Sequence, residues 1–186
     1  MSQITRNLPD NEYQAAINAS SPSALNPFLT LADVPGLTNA YASYHSNSAA
    51  ANQTSPAATP TPMFFHVTAL QNNVSVTAGN TINILDPGVY NVQFSAQIEK
   101  TGGTAGTIYI WPEINGTPLS NSNTGITLAN NGHRAVAAWN WYIDLSAGDD
   151  LQLMWTSDTG TVELINEVPL IGPGIPAVIV TLQKVG

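Results

Sequence analysis

The stretch Asp86-Pro-Gly-Val-Tyr-Asn-Val-Gln-Phe-Ser-Ala-Gln-Ile98 decides the fold class. Proline fixes φ and glycine tolerates positive φ, so Asp86-Pro87-Gly88 reads as a turn. Beyond it Tyr90, Val92, Phe94, Ala96 and Ile98 point to one side, and Asn91, Gln93, Ser95 and Gln97 to the other. Unbroken alternation of period two is the mark of a half-buried strand. The apolar, β-branched run Ile175-Pro-Ala-Val-Ile-Val-Thr-Leu-Gln-Lys184 reads as a closing strand.

Outward from these two stretches the same pattern recurs. Phe64–Leu70 and Val74–Ile84 read as strands, as do Thr107–Ile114 and Ala135–Leu145. Shorter strands follow at Leu151–Trp155 and Val162–Ile165, with one more around Ile126–Leu128. Turn signals separate them at Thr101–Gly106, Asn115-Gly116, Ser146–Asp149 and Asp158–Gly160. Pro112 asks for an edge position or a bulge near the end of its strand. About eight short strands at this spacing predict an all-β, antiparallel sandwich, and a jelly roll matches the count. A barrel or an immunoglobulin-like sandwich is the alternative, although no cysteine pair marks the latter.

Composition narrows the function classes. Charged residues make up 9% of the 186, against an average near ~25%, and polarity comes from Asn, Thr, Ser, Gln and Gly instead. Such a balance suits extracellular or virion surfaces. The net charge is −8, and Arg6, Lys100, Arg134 and Lys184 form no basic cluster, which argues against nucleic acid as a partner. There is no cysteine, hence no disulfide framework and no thiolate metal site. The first residues lack the apolar core of a signal peptide, and no run approaches membrane-spanning length, so neither classical export nor membrane insertion is expected.

The N-terminal part has a different character. Residues 1–44 read as an anchoring extension with short helices, one from about Pro9 to Ala19 and one near Phe28–Val34. Tyr13, Ile17, Phe28 and Leu31 are its candidate particle-anchoring residues. Residues 45–62, rich in Ala, Ser, Thr and Pro, read as a linker, which places the head at 63–186.

Three segments of the head resemble the C1q and tumour necrosis factor jelly-roll superfamily. They are Ile84-Leu-Asp-Pro-Gly-Val-Tyr-Asn-Val-Gln-Phe94, Leu145-Ser-Ala-Gly-Asp-Asp-Leu-Gln-Leu153 and Ile175-Pro-Ala-Val-Ile-Val-Thr-Leu182, in the family's order and spacing over about residues 63–186. The resemblance implies a homotrimer of jelly rolls with the termini at one end, serving as a head on a stalk, as in phage and other viral structural proteins. The chain departs from collagen-stalked members, because residues 1–62 carry no Gly-X-Y period. A trimer also gives a partner to strands that are apolar on both faces, so Trp139, Trp141, Tyr142, Ala177 and Ile179 are the candidate interface residues.

Catalytic chemistry has little to stand on. His45, His66 and His133 lack paired ligand spacing, Asp149, Asp150 and Asp158 make no calcium loop, and Glu99, Glu113, Glu163 and Glu167 are not brought together by the sequence. No cofactor is expected. Tyr109 and Trp111, opposite Ile108 and Ile110, are a candidate glycan platform. The expectation is therefore a non-enzymatic viral structural protein, made in the host cytoplasm and carried on the virion surface. It would be a decoration, spike or fibre head whose partners are itself, other virion proteins through residues 1–44, and a host-surface glycan. The alternative is a carbohydrate-binding adhesin.

Overall fold

The structure is a computed structural model that describes residues 40–186. The expected helices and anchor residues Tyr13, Ile17, Phe28 and Leu31 lie outside the described residues. The described part contains fourteen strands and no helix. In chain order these are β1 (Tyr41–His45), β2 (Gln53–Thr54), β3 (Thr61–Pro62), β4 (Val67–Asn72), β5 (Val74–Thr77), β6 (Thr81–Ile84) and β7 (Gly88–Lys100). They continue with β8 (Gly106–Ile114), β9 (Thr117–Pro118), β10 (Thr124–Leu128), β11 (Arg134–Leu145), β12 (Asp150–Ser157), β13 (Val162–Leu164) and β14 (Val178–Lys184).

Two antiparallel sheets face each other. The first runs β4–β1–β14–β7–β11. Because β11 occupies one whole edge of β7, β13 must share the other edge with β14, and it pairs with Ile98–Lys100 just beyond β14. The second sheet runs β10–β8–β12–β6–β5, with β3 continuing beside β12 and β9 folding back on β8. The longer strands cross repeatedly from one sheet to the other, between β4 and β5, β6 and β7, β7 and β8, β10 and β11, β11 and β12, and β12 and β13, which is the jelly-roll path. The all-β expectation is borne out.

Alternation fills the space between the sheets as β7 foretold. Tyr90, Val92, Phe94, Ala96 and Ile98 meet Ile82, Ile84, Ile108, Ile110, Leu151, Leu153 and Trp155 in one apolar core. Tyr44 and Tyr90 are fully buried, and burial pushes both phenols up to about 12, with the Asp86 charge adding to the effect at Tyr90. The turn before β7 is locked from three directions. Tyr90 donates its hydroxyl to the Asp86 carbonyl at 2.5 Å, the Lys184 ammonium pairs with the Asp86 carboxylate at 3.2 Å, and a Cβ on Gly88 would strike Gly186 and Lys184. Lys100 is also buried, its ammonium donating to Gly102 O and Thr161 Oγ1, which ties the turn after β7 to the segment before β13.

Two sequence expectations need correction. Val74–Ile84 is a hairpin, not one strand, because Ala78 and Gly79 take positive φ and turn β5 into β6. The boundary at residue 63 also moves, since the described residues 40–186 belong to one compact unit. Tyr41–His45 is a central strand between β14 and β4, and residues 45–62 are part of the head. Ser46 is buried where a linker would leave it in water. Its backbone N–H donates to Val178 O at 2.9 Å, and its hydroxyl accepts the Val178 N–H at 3.1 Å while donating to Asn166 Oδ1 at 2.7 Å. Small polar residues can thus be paid for by internal hydrogen bonds, which composition does not reveal.

Candidate interaction surface

Strand register places the outward side chains of the first sheet in rows. One row is Tyr142–Asn91–Gln183–Tyr41–Asn72, the next Asn140–Gln93–Thr181–Ser43–Leu70, and the next Ala138–Ser95–Ile179–His45–Val67. Val136 and Gln97 begin a fourth. None of these rows contains a Lys, Arg, Asp or Glu. Ionic residues begin only at the two ends, with Asp144 at one and the Arg134–Glu99–Glu163 row at the other. Ile179 is 40% exposed, Leu70 50%, Val136 57% and Tyr142 67%. A depression of about 600 Å³ lies across Tyr41, Ser43, Leu70, Asn91, Gln93 and Thr181, and others flank Ile179.

Beside this face the sandwich has an open edge. β11 pairs with β7 along one side only, and its twelve residues contain no Pro or Gly to blunt the other side. Trp139 and Trp141 turn inward from it, half-buried, around Phe94. Phe94 meets Trp139 edge-on at 4.6 Å and stacks on Trp141 at 5.2 Å. The Trp139 Nε1 is buried without a hydrogen-bond partner.

The second sheet treats its outer face differently. Tyr109, Trp111 and Glu113 point outward from β8, as the sequence phase requires. Trp111 is only 9% exposed, its Nε1 donates to Glu113 Oε1 at 3.0 Å, and its cross-strand neighbour Met154 is buried beside it. Tyr109 lies opposite Gly125, where a Cβ would come within 3.3 Å of its ring. Tyr109 is therefore the exposed ring of the candidate glycan platform, and Trp111 presents little of its face.

Of the candidate interface residues, Tyr142 and Ile179 stand on the outer face and Trp139 and Trp141 at the adjoining edge. Ala177 does not belong with them. It is fully buried although it shares the phase of Ile179: it lies just before β14, and its N–H donates to Asn166 Oδ1 at 2.8 Å. Sequence reasoning missed Tyr41, His45, Leu70 and Val136. A signal for the first two was present: Tyr41-Ala-Ser-Tyr-His45 alternates, with Ala42 and Tyr44 buried.

Several of the remaining titratable groups have structural partners. His66 donates its backbone N–H to His45 O at 3.0 Å, yet the two rings serve separate contacts, His45 Nδ1 at 2.9 Å from Ser46 O and His66 Nδ1 accepting Asn47 N–H at 3.2 Å. Asp149 and Asp158 cap backbone N–H groups of Ser146 and Thr107. The register sets Glu99 against Glu163, a pairing the sequence did not disclose. Arg134 binds Glu99 at 2.9 Å and Glu167 at 2.7 Å, and Asn52 donates to Glu163 at 3.0 Å. The hydrogen bond to Glu167 is the largest cause raising the pKa of Arg134 above its usual value, so this cluster is an ion-pair network at the rim of the face. Among the described residues no three His, Cys, Asp or Glu side chains converge as metal ligands.

The fold has solved counterparts. The chain superposes on the TNF protein Eiger from S. frugiperda with a TM-score of 0.54 at 12% identity, over 80% of this chain and 93% of that one. It also superposes on murine APRIL with a TM-score of 0.50 at 9% identity, over 80% of this chain and 100% of that one. No family model matches the sequence, and no curated protein does. At such identities the likeness concerns the fold, which is a C1q/TNF-like jelly roll.

Proposed function

We propose that residues 39–186 form a non-enzymatic head that assembles into a ring of three copies, the outer face of the first sheet in one copy covered by the open β11 edge of the next. The observation that carries this reading is the uncharged face, four rows deep, lying beside an edge with half-buried Trp139 and Trp141. A contact of flat face with strand edge is one between unlike patches, which makes a ring instead of a twofold dimer where its rotation closes. The size of the ring, three, is what the family resemblance implies.

The head is displayed on a virion, of a phage by preference, as a decoration, spike or fibre tip held through the N-terminal segment. What supports this is the placement of the ends: Lys184 N–H donates to Ala40 O at 2.8 Å, so the preceding chain joins beside the C-terminus. The turns at 101–105, 129–133 and 158–161 lie at the other ends of these strands, free for a host surface. A carbohydrate-binding head is the competing reading, favoured by the exposed ring of Tyr109. Saturable glycan binding that disappears in Tyr109→Ala would establish it.

Light scattering on the full chain at micromolar concentration tests the ring, with three times the chain mass expected and a single-copy mass overturning it. Deleting residues 1–39, which spares β1, is expected to abolish incorporation into particles. Retained incorporation would refute the anchor assignment.

A further inference from the structure

We propose that self-association through the first sheet's outer face is proton-linked, and that protonation of His45 opens the ring. This rests on the face-to-edge reading above. His45 stands within the face, between Ile179 of β14 and Val67 of β4. Its Nδ1 lies 2.9 Å from the Ser46 carbonyl oxygen. A carbonyl only accepts, so Nδ1 carries a hydrogen and Nε2 is the nitrogen that gains the proton.

Among the described residues nothing around the ring would balance that charge. The neighbours across the strands are Ile179 and Val67, the neighbour along β1 on the same face is Ser43, and Ser46–Ser48, Gly174 and Pro176 line the adjoining depression. None of these side chains titrates. Tyr44, next along β1, points into the core, His66 lies beside His45 in the backbone, and the His66 Nδ1 is occupied by Asn47 N–H. On the edge proposed to cover the face, Ala135–Ile143 carries no ionic residue and only Tyr142 as a titratable one, with Arg134 and Asp144 at its ends. Arg134 is already held by Glu99 and Glu167. A neutral imidazole can therefore be covered, whereas an imidazolium would lose its water and meet no anion.

The sign follows from the protons bound. Separate copies bind one proton more per interface than the ring does, so acid favours separate copies. With one proton taken up per interface, each interface weakens up to about tenfold per pH unit, and a ring of three up to about a thousandfold.

The test is the mass of the full chain at micromolar concentration from pH 7.5 to 5.5, in wild type, His45→Gln, His66→Gln and His133→Gln, with circular dichroism verifying the fold at each pH. The expected result is a ring at pH 7.5 that falls to single copies toward pH 5.5 in wild type, His66→Gln and His133→Gln. His45→Gln, or His45→Asn if that variant misfolds, stays assembled throughout. A wild-type ring that persists to pH 5.5 overturns the proposal, and so does a His45→Gln ring that dissociates in parallel with wild type. Single copies already present at pH 7.5 would instead bring down the face-to-edge assembly, and this inference with it.

Discussion

The two sheets of this jelly roll finish their outer faces in opposite ways. The second sheet covers its apolar side chains from within the chain. Trp111 lies beside Met154 and is tethered to Glu113, Tyr109 shields Gly125, and Asp150 and Asp158 keep the surroundings charged. The first sheet leaves Ile179, Leu70, Val136 and Tyr142 open and confines charge to its ends. Scattered exposed aliphatics are ordinary, but several on one uncharged face are the mark of a surface that something covers. The difference teaches that apolar content does not identify an interface. What does is apolar content that the chain's own neighbours fail to cover.

The largest expected effect comes from placing a charge on the open face. Ile179→Asp would bury one carboxylate in each interface, beside His45 and with no Lys or Arg in the rows around it, weakening assembly at least ~100-fold at about pH 7.5. The folded single copy should lose less than about 1 kcal/mol, because Ile179 is already partly in water. Light scattering beside a thermal melt separates the two readouts. An assembled Ile179→Asp protein would erase the contrast between the sheets.

The mirror experiment follows on the other sheet. Trp111→Ala removes a nearly buried indole and should cost about 3 kcal/mol, a fall in Tm of roughly 6 to 12 °C, with the assembled mass unchanged at low temperature. Loss of assembly without loss of stability would mean that Trp111 belongs to an interface and that both faces are covered by partners.

How far the sequence discloses this depends on how local the signal is. β7, β8, β11 and β14 announce themselves because alternation and turn chemistry are properties of consecutive residues. The outward phase of Tyr109, Trp111 and Tyr142 followed from the same alternation. Ala177 was misassigned because it shares the phase of Ile179, and phase alone does not reveal the burial that accompanies its hydrogen bond to Asn166. Tyr41–His45 and residues 46–62 were misread for a related reason. Their order comes from contacts about 130 residues away in sequence, such as Ser46 with Val178, and a run of Ser, Ala, Asn and Pro looks the same whether those contacts exist or not. The charge-free rows are likewise a property of register across five strands, which no single segment displays.

Ser46→Ala checks the reassigned segment. It removes the acceptor for the buried Val178 N–H and the donor to Asn166 Oδ1, and should cost about 1–3 kcal/mol in a denaturation midpoint. A solvated linker would show no change, and that result would return the boundary to residue 63.

The smallest effect tests the self-covering of the second sheet most directly. Tyr109 is 38% exposed, so Tyr109→Ala should cost only about 0.5–1 kcal/mol, since part of its ring area already meets water. Its use is in combination with Gly125. A methyl group at Gly125 would press on the Tyr109 ring, so Gly125→Ala should destabilise the wild-type background and be relieved in the Tyr109→Ala background. A coupling of roughly 0.5 kcal/mol in that cycle, with unchanged assembly in all four proteins, identifies the ring as an intramolecular cover. Zero coupling, or a Tyr109→Ala protein that no longer assembles, would place this side chain in the same class as Ile179, and the two faces would then differ in charge alone.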